Sequence, residues 1–152
     1  MQAMSAGELC SRAVVFAYPD MALNEAARLM REHHVGSLVV VEERDLGRVP
    51  IGMLTDRDIT VAVIARDLDA RTINVGEIMS ADPVTVRESD SVFDALRVMR
   101  TGGVRRVPVV GTNGTLVGIL ALDDVLEAVA EELRDVASAI SSERAHEQRA
   151  RP

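Results

Sequence analysis

The chain has 152 residues, enough for one compact domain or two small units sharing a core, and its 17 basic and 24 acidic residues leave a formal charge of −7. That charge repels a phosphate backbone, and aromatic residues at 2% leave few rings to stack on bases, so the composition argues against a nucleic-acid partner. All 17 basic residues are arginine, which excludes Schiff-base chemistry and a P-loop lysine and leaves either planar forks for phosphate or a plain compositional bias.

Apolar residues make up 47% of the chain, so the core must be packed from Val, Leu, Ile, Ala and Met. The single Cys10 can form neither an internal disulfide nor a paired-cysteine metal site, which suits a reducing interior. The first fifteen residues lack a basic lead and an apolar stretch, and no run approaches the roughly 18 apolar residues of a membrane helix. The expectation is a soluble, cytoplasmic protein with no membrane partner.

A repeat organises the sequence. Residues 7–41 overlie residues 76–110 at a constant shift of 69, with identities at Gly7/Gly76, Glu8/Glu77, Ser11/Ser80, Val15/Val84, Ala26/Ala95, Met30/Met99 and Val40/Val109. After a loop of unequal length the shift becomes 66, and GMLTDRDI (52–59) lies over GILALDDV (118–125).

In chain order, each copy predicts a strand (14–17; 84–86), then a helix with apolar positions at helical spacing, namely Leu23, Ala26, Ala27, Met30 and Val92, Ala95, Leu96, Met99. Two strands follow (38–41 and 51–54; 107–110 and 116–120), with Thr112, Asn113 and Gly114 supplying a tight turn in the second copy. A second helix closes each copy, at 56–65 and from Asp123 onward. The reading is an α/β (α+β) chain of two pseudo-symmetric strand-helix-strand-strand-helix repeats packed through their sheets, because neither copy alone buries enough apolar area. Its divisions are repeat 1 at 5–66, a linker at 67–75, repeat 2 at 76–135, and a helical extension and polar tail at 136–152 that loses order from about Ser141.

His33 and His34 end the first helix and His146 lies in the tail, none with a spaced metal partner, and Met30 and Met99 are equivalent core positions. No metal site is expected. Neither a Ser/His/Asp or Cys/His order nor a glycine-rich phosphate loop is present, so no catalytic residue is assigned and an enzyme is disfavoured. Stripes on the second helices (Ile59, Val63; Val125, Val129) are read as exposed and therefore as the seam of a homodimer, while the apolar positions of the last helix suit either a dimer contact or cover for its own domain.

GMLTDRDI and GVRRVPVV, each in its place within the duplicated unit, closely resemble the cystathionine-β-synthase (CBS) domain family over about residues 5–135. That family pairs two repeats into a Bateman module. The resemblance implies that Thr55 and Asp58 hold a ribose, although Thr-x-x-Asp at a strand-to-helix junction also reads as a capping box. It further implies Val84, with Asp82 and Pro83, as the adenine-facing wall and Arg106 as a phosphate contact, although Arg105 and Arg106 also suit surface ion pairs. In the opposite, weaker cleft the matching positions are Val14 and Val15 for the base, Ser37 for the phosphate and Asp124 for the ribose, with Ala121 in place of the threonine.

The function so implied is an adenine-nucleotide-sensing regulatory module that binds an adenosyl ligand between its repeats and modulates an unidentified partner protein. No cofactor is required. The ligand is AMP, ADP or ATP, with S-adenosylmethionine, NAD or a cyclic dinucleotide sharing the adenosine portion. The alternative is a ligand-free interaction scaffold, to which Ala121 and Ser37 point.

Overall fold

The computed structural model describes residues 4–150 and builds both repeats from the same parts in the same order. In the first, β1 (Phe16–Ala17), α2 (Leu23–His33), β2 (Ser37–Arg44), β3 (Gly47–Thr55) and α3 (Asp56–Ile59) follow a short lead helix, α1 (Ala6–Leu9). A π-helical turn over Thr60–Ile64 continues α3. In the second, α4 (Val75–Ile78) leads into β4 (Ser80–Ala81), β5 (Val86–Arg87), α5 (Val92–Gly102), β6 (Arg106–Val110), β7 (Leu116–Ala121) and α6 (Leu122–Ala150). The molecule is a mixed α+β structure with two sheets, ordered β1-β2-β3-β4 and β5-β6-β7.

Pairing repeats the sequence symmetry. The first strand of each unit lies parallel to the second, Phe16 beside Val39 and Val86 beside Val109, and the hairpins β2-β3 and β6-β7 are antiparallel. Each hairpin carries a register shift at the same place, between Val40 and Val41 and between Val109 and Val110. The first hairpin is longer, reaching Arg44 paired with Gly47, whereas the second closes through Gly114 at φ 78°.

The lead segments cross between the units. Gly7 donates its amide to the Glu88 carbonyl and Gly76 donates to the Pro19 carbonyl, both at 2.9 Å, so α1 sits on the second unit and α4 on the first. Ser11 then bridges Ile119 of β7, just as Ser80 pairs with Met53 of β3. These crossings need glycine: a Cβ on Gly118 would lie 2.6 Å from the Ser11 carbonyl oxygen, and one on Gly52 3.0 Å from that of Ser80. Repeats contiguous in sequence are thus exchanged in packing, with Val75 in the first core and Ala6 in the second.

This crossing also explains why the opening strands are shorter than their patterns predict. Residues 12–15 pass from Ser11, bridged to the second sheet, to Phe16 in the first, and residues 82–85 make the reverse passage. Val14, Val15 and Val84 therefore lie on the crossovers and not within strands.

Each core is a layer between one sheet and its helices. Leu23, Ala26 and Met30 of α2 meet Leu38, Val40 and Leu54; Val92, Ala95 and Met99 of α5 meet Val107, Val109 and Leu120. Ala27, expected on the buried face, is exposed, and Leu29 packs there instead. Ile59, Val63 and Val125, expected to form exposed stripes, are 9%, 1% and 0% exposed because the second helices turn these positions into their own cores, and Val129 packs against the second core. The helix α6 runs past Ser141 to Ala150, through Ala, Glu, Gln and Arg, all strong helix formers.

Candidate functional site

Two hairpin ends meet between the units. In the first sheet Ser37 pairs with Thr55 at the end of the β2-β3 ladder; at the equivalent place in the second, Arg106 pairs with Ala121. The Arg106 Nη1 donates to the Ser37 Oγ at 3.4 Å, joining positions 69 residues apart. Around them opens a cleft of about 730 Å³, lined by Ser37, Thr55, Arg57, Arg105, Arg106 and Ala121, among others, with Asp56 and Asp123 at the starts of α3 and α6.

The Thr55 and Asp58 side chains are held as a reciprocal cap. The Asp58 amide donates to the Thr55 Oγ1 at 3.1 Å, and the Thr55 amide donates to the Asp58 Oδ2 at 2.9 Å. This cap fixes both side chains at the strand-to-helix junction, with Thr55 on the cleft wall. The arginines differ in engagement. Arg105 lies 3.5 Å from Asp123 with both side chains nearly four-fifths exposed, an ion pair worth about 0–1 kcal/mol. Three guanidinium groups, of Arg57, Arg105 and Arg106, therefore border one opening, and an anion can replace such a weak surface pair.

The remaining sequence-derived positions lie around this centre. Asp82 takes a left-handed φ of 52° and its amide donates to the Ile51 carbonyl at 3.2 Å, where the chain leaves β4; Pro83 follows. Val84 is 39% exposed and packs over Gly102, one residue before the cleft-lining Gly103. Val15 packs against the first core, and Val14 lines a separate groove of about 340 Å³ near the hairpin tips with Arg12, Phe16 and Arg48. Asp124 lines a third groove, of about 360 Å³, beside Cys10 and Ser11. Burial pushes the Cys10 thiol up.

Ser37 and Arg106, read from sequence as belonging to opposite clefts, thus face a common opening. Arg57 and Val104 were not singled out by the sequence reading. The identity of Val104 with Val35 under the shift of 69 was the available signal for one; nothing in the repeat marks Arg57, whose equivalent is Asp123. Among the described residues no group of three or more His, Cys, Asp or Glu side chains is placed to hold a metal ion, and no helix is long and apolar enough to cross a membrane.

Two intertwined strand-helix-strand-strand-helix units around a shared axial cleft define a tandem-repeat module of α+β class. The chain belongs to the CBS-domain family, whose model matches residues 6–65 and 75–131. It is 37% identical over 127 residues to an uncharacterized protein of Methanopyrus kandleri, spanning 84% of this chain but only 63% of that protein. A CBS domain-containing protein of Bacillus subtilis, YhcV, is 42% identical, with 70% of this chain and 72% of that protein covered. Among solved structures, Hypoxic Response Protein I with two coordinated zinc ions aligns at a TM-score of 0.72 and 35% identity, covering 82% of this chain and 98% of that one. The CBS domain pair of a protein in complex with 5′-methylthioadenosine and S-adenosylmethionine aligns at a TM-score of 0.73 and 23% identity, over 86% of this chain and 99% of that pair, a likeness of fold.

Proposed function

We propose that this chain is a regulatory module that binds an adenosyl ligand between its repeats and modulates a partner protein, acting by binding and not by catalysis. The observation that carries the reading is the meeting of Ser37 and Arg106 at 3.4 Å across the axis, within a cleft also bordered by Arg57 and Arg105. A phosphate there draws on both repeats at once, so its binding favours one relative arrangement of the units over another. In this reading Asp58 and Thr55 hold the ribose, Asp82, Pro83 and Val84 face the base and Arg106 takes the phosphate. The weaker cleft read at Val14, Val15, Ser37 and Asp124 is not gathered in this arrangement, since these residues lie in the hairpin-tip groove, the first core, the axial cleft and a third groove, so a second ligand there would need the units to shift. The ligand is AMP, ADP or ATP, with S-adenosylmethionine and NAD as relatives sharing the adenosine portion.

The setting proposed is a cytoplasmic homodimer without nucleic-acid or membrane partners and without a required cofactor. Self-association is supported by apolar residues exposed on the second helices, Val61 at 55%, Ile64 at 65% and Leu126 at 54%, and not by Ile59, Val63 and Val125, which the sequence reads as exposed and the structure buries. A second reading, a ligand-free scaffold, is favoured by Ala121 at the wall opposite Thr55, which offers the cleft only a methyl group.

Calorimetric titration with AMP, ATP, S-adenosylmethionine and adenosine separates the two, after mass spectrometry of small molecules released from the freshly purified protein. The expected result is saturable binding of a phosphate-bearing adenylate, weakened about tenfold or more by Arg106→Gln, with adenosine affinity little changed by that variant. Absence of heat with all four ligands, and no retained adenylate, would leave the scaffold reading standing.

A further inference from the structure

Along α6, Leu122, Leu126, Val129, Leu133, Val136 and Ile140 recur at alternating spacings of four and three residues. That is a 3.5-residue apolar period held for nearly three heptads, the pattern of a coiled-coil seam and not of a helix that merely lies on its own domain. The domain covers only its beginning. Leu122 and Val129 pack against the second core, whereas Leu126, Leu133, Val136 and Ile140 are 54%, 65%, 45% and 47% exposed.

Building on the homodimer reading, we propose that the projecting part of α6 pairs with α6 of a second copy of this chain as an antiparallel two-helix coil. A second copy supplies the same period and length by construction. Ala130, Ala137 and Ala139 flank the seam with small side chains, which lets two helices approach closely. The exposed seam spans about 21 Å from Leu126 to Ile140. With its flanking stems it offers on the order of 500 Å² per copy, so two copies reach the ~1,000 Å² a specific interface needs.

Charge sets the direction. Residues 122–135 carry six acidic side chains and one arginine, whereas residues 136–150 carry two acids, two arginines and His146. A parallel pair would lay the acidic halves side by side, and an antiparallel pair sets each against the balanced half of the other. Glu143 and Glu147, next along the seam, would meet their own copies in a parallel coil; centred between Leu133 and Val136, the antiparallel coil puts Glu143 at its end, opposite Leu126.

Sedimentation of the full chain tests this. The parent is expected at twice 16.4 kDa, and Leu133→Glu combined with Ile140→Glu is expected to weaken association at least ~100-fold while the separated chain still unfolds cooperatively, since both positions are exposed in the single copy. A double variant that remains dimeric overturns the coil and leaves the homodimer reading intact, whereas a parent that is monomeric at micromolar concentration overturns both. Direction is read in a Cys10→Ser background. Mixing Leu126→Cys with Glu143→Cys chains should give the mixed disulfide, while Ile140→Cys, whose copies lie about 16 Å apart in the antiparallel coil, should not link to itself. Ready self-linkage of Ile140→Cys means a parallel coil and overturns the proposal.

Discussion

The two repeats follow one plan but secure it at different helix ends. In the first, α2 begins at Ala22 with no side-chain cap, and the reciprocal cap of Thr55 and Asp58 secures α3. In the second, Ser91 caps α5 by accepting from the Asp94 amide at 3.1 Å, while α6 begins after Ala121, which has no hydroxyl to offer. The helix ends differ as well, with His34 at φ 54° where the second repeat has Gly103 at φ 64°. Since Thr55, Ala121, Arg106 and Gly103 all border the axial cleft, these differences in local stabilisation become differences between its walls. One wall ends in a capped, polar turn and the other in a methyl group beside two arginines.

The first way to break the comparison is at what the repeats share. Gly118→Ala forces a methyl to within 2.6 Å of the Ser11 carbonyl, and Gly52→Ala to within 3.0 Å of that of Ser80. Each methyl also meets a sulfur, Cys10 Sγ at 2.6 Å and Met79 Sδ at 2.5 Å; those side chains can turn aside, but the carbonyls are backbone, so the lead strands must move. The expected loss is about 3 kcal/mol for Gly118→Ala and somewhat less for Gly52→Ala, from urea unfolding. Equal, negligible losses would show that the lead segments are not held where they cross.

Ligand affinity is the next difference. Asp58→Ala is expected to weaken adenylate binding by about 1.5–3 kcal/mol, tenfold to more than a hundredfold, and Asp124→Ala to have the smaller effect because its unit lacks the threonine. Calorimetry on variants whose unfolding midpoints show them folded makes the comparison. The reverse order would exchange the stronger and weaker assignments, and normal binding by both would end the ribose role.

Much of this was legible because a duplication can be checked against itself. The shift of 69, then 66, put Gly52 over Gly118 and Asp58 over Asp124 without any structure, and the apolar spacing of residues 23–30 and 92–99 located both first helices. What stayed hidden was relation between the copies. Nothing in Gly7 or Gly76 announces that its amide bonds the opposite unit, and the encounter of Ser37 with Arg106 exists only because two hairpin ends converge on the axis. The inward turn of Ile59 and Val63 was missed for a related reason, since a short segment with apolar residues at 59, 61, 63 and 64 shows no unique face until its sheet is in place.

A smaller effect concerns the caps alone. Thr55→Ala removes the oxygen that accepts the Asp58 amide, and should cost about 1–2 kcal/mol by thermal or urea unfolding. Ala121→Thr should return about 1 kcal/mol at the start of α6 while adding a hydroxyl to the second wall, since Asp124 already occupies the position equivalent to Asp58. An Ala121→Thr protein no more stable than the parent would mean that the β7-α6 junction does not adopt the capped geometry of its counterpart.

The smallest effect is expected at the C-terminal ends of the first helices, where both repeats need the same backbone shape and only one has the residue suited to it. His34 sits at φ 54°, ψ 44°, and the Val35 amide closes the turn onto the Met30 carbonyl at 3.0 Å; Val104 closes the equivalent turn onto Met99, also at 3.0 Å, after Gly103. A side chain in this left-handed region costs roughly 1–2 kcal/mol, while glycine escapes that strain but gives up roughly 0.5–1 kcal/mol through the freedom it gains when unfolded. The balance for His34→Gly is therefore a net stabilisation of about 0.5–1 kcal/mol, and for Gly103→Ala a loss of similar size, both within reach of urea unfolding. Binding then separates the two positions. Gly103 lines the axial cleft and His34 does not, so His34→Gly should leave adenylate affinity as it was, whereas Gly103→Ala adds a methyl at the cleft wall, in space that no neighbouring atom fills. If His34→Gly changed affinity as strongly as Gly103→Ala, the two helix ends would be acting alike on the ligand, and the asymmetry of the walls would have to arise from the strand ends alone.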